Sequence, residues 1–246
     1  MKEVNKIFAL INSIDDAKEI LLKAKELNLK FNATIEVVFV KEEPLFSIDS
    51  FFKDKEFNKE EVKKFLKELT DEIFNKDVAI FVYISDSKDR VEHLANGKKD
   101  VLVVTKFNKE IFSDILDIEL TTLIFKKELK ECAFLVEDML DIEENIEFLQ
   151  KICSNLYLIY NFIYLPAISA IDPLTEFPID LEVQEEVFKE QFNAIKSKFN
   201  IDGEFIFNYG GLEEILATKN IDSLAFVESV SLDLEELNCN ILKLSL

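Results

Sequence analysis

The amino-acid sequence predicts an α/β fold of two tandem, open, parallel sheets with helices on both faces. Three observations predict it. Short, nearly continuous apolar runs alternate with longer amphipathic stretches, which is how buried parallel strands and their covering helices read. The opening unit, residues 6–27 (KIFALINSIDDAKEILLKAKEL), returns 125 residues later as residues 132–150 (CAFLVEDMLDIEENIEFLQ), so that Asn12 falls on Glu137, Asp16 on Asp141 and Leu21 on Ile146. The 246 residues are 48% hydrophobic and include 23 Phe but only four Gly and four Pro, enough for two cores and unlike disordered or collagen-like chains. The expected division is 1–127 and 128–246.

Each element has its own reason. Ile7 to Ile11 is an unbroken apolar run of strand length, Asn12 and Ser13 turn the chain, and Asp15 and Asp16 favour a helix N-terminus. Ile20, Leu21, Ala24 and Leu27 then recur on one helical face. Residues 34–40 (TIEVVFV) form a β-branched second strand. A long connection follows with Pro44 and an apolar cluster over residues 45–52. Val62, Phe65, Leu66, Leu69 and Ile73 stripe a helix over 60–74. A third strand over 78–84, a short helix over 89–95, a fourth strand over 101–105 and a fifth over 121–125 complete the half.

The second half repeats the order. Strands are expected over 132–136, 156–164, 204–208, 223–228 and 240–244, and helices over 142–154, 181–199 and 212–218. The loop 166–178 (PAISAIDPLTEFP) stands where the Pro44 connection stood. In such sheets a ligand lies beyond the carboxyl ends of the strands. Those ends are Asn12, Val40, Ser85 and Thr105, then Glu137, Tyr164, Tyr209 and Glu228.

Composition excludes several functions. The net charge is −20, with 22 basic and 25 acidic residues in 1–127 against 7 and 24 in 128–246. Neither half offers the basic surface that a nucleic acid needs, and the acidity of the second opposes a polyphosphate. The apolar run 156–171 has 16 residues and carries Asn161 and Pro166, short of the ~20 apolar residues that span a bilayer; the uncharged residues before it, 152–155, include Ser154 and Asn155. A cytoplasmic protein with no membrane contact is expected. Cys132, Cys153 and Cys239 form no C-x-x-C pair and read as buried free thiols. His93 is the only histidine, so a histidine-based zinc site or a Ser-His-Asp triad lacks partners. Asp15, Asp16, Asp138 and Asp141 read as helix caps rather than metal carboxylates. No catalytic or metal residues are assigned.

The doubled order of elements resembles the universal stress protein family as a tandem pair. The carrying stretches are KIFALINSIDDAKEIL, VVFV and YISDSKDRVEHLANGKKDVLVV, then AFLVEDMLDIEENIEFL and GGLEEILATKNIDSLAFV. The resemblance covers nearly the whole chain. It implies a five-stranded parallel sheet in each half, the adenine nucleotide alpha hydrolase-like arrangement. It also implies that the last strands, TTLIF (121–125) and NILKL (240–244), pair the halves about a two-fold axis as an intramolecular pseudo-dimer.

Nucleotide-binding members have an Asp ending the first strand and a phosphate loop after the fourth: G-x-x-G, nine residues, then G-S or G-T. Glycines let backbone N–H groups cradle the phosphates. Here the acid is Asn12 in one half and Glu137 in the other, and the segments 105–125 and 228–242 contain no glycine. Losing three charged hydrogen bonds removes ~5–9 kcal/mol. Micromolar affinity is worth only ~8 kcal/mol. The expectation is a stress-associated, non-enzymatic interaction scaffold without a cofactor, able to meet a protein partner or a second copy. The apolar connections 45–52 and 166–177 are candidate partner surfaces. The alternative is an ATP- or AMP-binding switch or weak ATPase in the first half. It would use Asn12 for ribose or metal, the Val40 backbone for adenine, and Thr105, Lys106 and Asn108 for phosphates, with Lys109 as a further cation.

Overall fold

The computed structural model describes residues 3–42, 57–138, 142–163, 181–227 and 232–245. The first half runs β1 (Lys6–Ile11), α1 (Ala17–Phe31), β2 (Thr34–Lys41), α2 (Lys59–Phe74), β3 (Ala79–Ile84), α3 (Ser87–Ala95), β4 (Val101–Lys106), α4 (Phe112–Leu116) and β5 (Thr121–Phe125). The second runs β6 (Glu131–Val136), α5 (Ile142–Ile152), β7 (Asn155–Phe162), α6 (Leu181–Phe199), β8 (Asp202–Phe207), α7 (Leu212–Thr218), β9 (Ser223–Val227) and β10 (Asn240–Leu244). The expected alternation is present, with element ends differing by one or two residues. The sequence reading assigns no helix between the fourth and fifth strands. There the structure places a 3-10 turn, Lys109–Ile111, running into the five-residue α4.

The strands form one ten-stranded sheet in the order β3-β2-β1-β4-β5-β10-β9-β6-β7-β8. Within each half every pairing is parallel; β5 and β10 meet antiparallel, with Leu123 opposite Leu242. Two five-stranded parallel sheets are thus joined through their last strands. The apolar runs explain the layering. Along β1, Ile7, Ala9 and Ile11 face a core shared with α1 and α2, while Phe8 and Leu10 face the core under α3 and α4. Both sides are covered, so period-two alternation is absent and the strand reads as continuously apolar.

With so few glycines the helices are closed by asparagine. Asn32, Asn75 and Asn96 cap α1, α2 and α3 at φ of 53°, 52° and 52°, and Asn200 and Asn220 adopt φ of 52° and 53° after α6 and α7. Asparagine visits the left-handed region at lower cost than other residues with a Cβ. The N-termini of α2 and α3 are capped by the side chains of Asn58 and Asp86, which accept bonds from backbone N–H groups within the first turn.

The join between halves is held by buried polar groups. Asn240, fully buried, accepts bonds from the backbone N–H groups of Lys126 and Lys127 and donates to the Glu128 carbonyl and the Ser223 hydroxyl. Asp222 accepts from the N–H groups of Lys130 and Glu131. Lys243, half-buried on β10, donates to the carbonyls of Leu116 and Ile118 and so closes the C-terminal end of α4 across the seam.

The cysteines correct one expectation. Cys132 at the start of β6 and Cys153 just after α5 are disulfide-bonded, with Cα atoms 5.9 Å apart. The reason is topological. α5 returns the chain to the edge of the sheet where β6 began, which brings together two thiols 21 residues apart. Only Cys239 is free and buried, and burial pushes its thiol up to about 11.

Candidate functional site

The carboxyl ends of the first-half strands gather four of the residues singled out from the sequence. Asn12, just beyond β1, sits beside Val40 because β1 and β2 pair in register up to Ile11 and Phe39. Its side-chain N–H donates to the Val40 carbonyl at 3.2 Å and to the Ser87 hydroxyl at 2.8 Å. Ser87, the fully buried first residue of α3, in turn donates its backbone N–H to Glu42 at 3.1 Å. Burial raises the Glu42 carboxyl above its ordinary range, against the bonds from Ser87 that lower it. At the end of β3 the Ser85 hydroxyl accepts from Arg90, whose guanidinium lies 5.4 Å from the centre of the Tyr83 ring. One atom is left over. The Asn12 side-chain oxygen is buried with no hydrogen-bond partner among the described residues.

The residues proposed for phosphates have structural partners. Thr105 is almost fully buried at the end of β4. Lys106 reaches back over the start of α1 to Asp16 at 2.7 Å and Glu19 at 3.1 Å, and the hydrogen bonds it donates to these carboxylates hold its ammonium above the usual lysine range. Asn108 caps the following 3-10 turn by accepting from the Glu110 N–H at 3.1 Å. Lys109 crosses the seam to Glu235 at 2.8 Å. Asn12 and Val40 are therefore in direct contact, Lys106 is turned toward α1, and Asn108 belongs to the turn.

The second half closes the same place with different chemistry. β6 and β7 pair up to Val136 and Tyr160, so Asn161 stands to Glu137 as Val40 stands to Asn12. The fully buried Asn161 donates to Glu137 at 3.4 Å and accepts from the Tyr209 N–H at 2.7 Å. The Tyr209 hydroxyl also donates to Glu137. Tyr164 and Glu228, expected strand ends, and Asp141 lie outside the described residues, as do the apolar connections 45–52 and 166–177.

Sequence reasoning placed Tyr209 at a strand end but missed Ser87, Glu42 and Asn161. One of these left a signal. Asn161 is the sole amide in the apolar run LYLIYNFIY, and a polar side chain inside a strand covered on both faces must find partners. Glu42 carried none, since its role depends on where α3 begins. Among the described residues no group of three or more His, Cys, Asp or Glu could hold a metal ion, and no helix is long and apolar enough to cross a membrane.

No family model and no curated protein sequence matches the chain. Solved structures do. A protein of unknown function from Pseudomonas aeruginosa PAO1 matches with a TM-score of 0.63 at 10% identity, over 99% of this chain and 93% of that one. A candidate universal stress protein from Pseudomonas aeruginosa UCBPP-PA14 matches with a TM-score of 0.62 at 9% identity, over 99% and 94%. A universal stress protein from Archaeoglobus fulgidus DSM 4304 matches with a TM-score of 0.56 at 12% identity, over 98% of each. At such identities the likeness concerns the backbone: over nearly its whole length, this chain has the fold of proteins described as universal stress proteins.

Proposed function

We propose that this protein is a stress-associated interaction scaffold of the universal stress type, without enzymatic activity. In this reading the units 1–127 and 128–246 are two domains held as a pseudo-dimer, and neither keeps a working ATP site. One observation carries the reading: groups that would meet a nucleotide in the first half are already bonded within the protein. Val40, whose backbone would read adenine, receives the Asn12 amide, and Lys106 is held by two carboxylates. A nucleotide would have to break these contacts before making its own, and neither segment after the fourth strand supplies glycines for a phosphate cradle.

The experiment is thermal unfolding with millimolar ATP or AMP and magnesium. A ligand at ~1,000 times its Kd stabilises by ~4 kcal/mol, a shift of several degrees. No shift beyond that given by salt of equal ionic strength is expected. A nucleotide-specific rise would overturn the reading in favour of the alternative, a nucleotide-binding switch in the first half. The observation favouring that alternative is the Asn12 oxygen, a buried acceptor that a ribose hydroxyl or metal-bound water could satisfy.

A further inference from the structure

Among the described residues, the two halves differ where each crosses from its fourth strand to its fifth. In the first, α4 lies against α3 and places Phe112 and Ile115 over the sheet. In the second, residues 232–239 pass as turns, and the corresponding side of α7 borders a cleft of about 610 Å³. Leu212, Leu216, Ile221, Leu232 and Leu237 line this cleft, and among the described lining residues Glu213, Asp233 and Glu236 stand against Lys127, with Lys109 reaching Glu236 from across the seam at 4.0 Å. The Lys127 ammonium is already bonded to the Asn238 carbonyl.

We propose that this cleft binds a basic amphipathic helix from a partner protein, seated beside α7 as α4 is seated beside α3. The apolar floor suits the leucine-like face of such a helix, and the acidic rim suits lysines on its flanks. A second copy of this chain is the poorer occupant, because a half carrying 24 acidic and 7 basic residues would meet its like. The inference rests on the scaffold reading. Its test reads a peptide rather than a nucleotide, so the two can fail separately.

The probe is a labelled peptide of about 14 residues with leucines on one helical face and lysines on the other, short enough to be largely unfolded alone. Saturable one-to-one binding is expected, with helical ellipticity gained on binding. Leu232→Asp and the pair Glu213→Lys with Glu236→Lys should each weaken it by about tenfold or more. The pair Glu186→Lys with Glu190→Lys, on the exposed face of α6, makes the same charge change elsewhere and should weaken it by less than about threefold. Folding of each variant is verified by its unfolding curve. Equal weakening by the two charge pairs would reduce the effect to net charge and overturn the proposal. So would indifference to Leu232→Asp, absence of saturable binding, or a wild-type dimer that Leu232→Asp converts to monomer.

Discussion

Asn240 shows what a single buried amide can do. It satisfies two backbone donors of the inter-half linker and bonds a carbonyl and a hydroxyl besides. Asn240→Ala leaves those groups inside the protein without partners, at ~1–3 kcal/mol each where water cannot reach them. Urea unfolding of this variant should show a loss of about 3 kcal/mol or more; a loss under ~1 kcal/mol would mean that water replaces the amide. Cys239 gives a pH signature. Burial raises its thiol from 9.0 to about 11, so the folded chain holds a proton that the unfolded chain releases first. Its contribution to stability is complete below about pH 9 and is lost as pH rises toward 11. The difference in stability between wild type and Cys239→Ala should narrow over that interval. A constant difference would contradict the buried, protonated thiol.

At the scale of the element, strands and long helices were legible because their signals are local. Apolar runs of strand length gave β1, β2 and β4, and the 3.6-residue stripe of α2 was visible in Val62, Leu66, Leu69 and Ile73. α4 was not legible. Five residues carry too little periodicity, and the helix depends on Lys243 from the far end of the chain to close it. The disulfide was hidden for a related reason: spacing alone does not say that α5 returns to the start of β6. Denatured without reductant, the protein should show one reactive thiol per chain, and three after reduction. Reduction should cost about 3 kcal/mol in urea unfolding, since a loop of this size carries that much closure entropy. Three reactive thiols before reduction would contradict the pairing.

The whole molecule is a repeat whose frame is more regular than its sites. The echo of residues 6–27 at 132–150 exposed the doubling, and the strand order of the first half, β3-β2-β1-β4-β5, is repeated in the second as β8-β7-β6-β9-β10. The strand-end clusters were only half visible. Asn12 and Glu137 stood out at the turns, but their partners Ser87, Asn161 and Tyr209 come from other strands and helices, and sequence distance conceals such contacts. Each half bonds its strand-end residues in a different polar set around a similar backbone, and the proposal is that neither set binds a nucleotide. Equilibrium dialysis of labelled ATP with magnesium tests that claim most directly. The account predicts no retained nucleotide up to millimolar concentration, in wild type and in Asn12→Ala alike. Retention of one ATP per chain at micromolar concentration, abolished by Asn12→Ala, would contradict it.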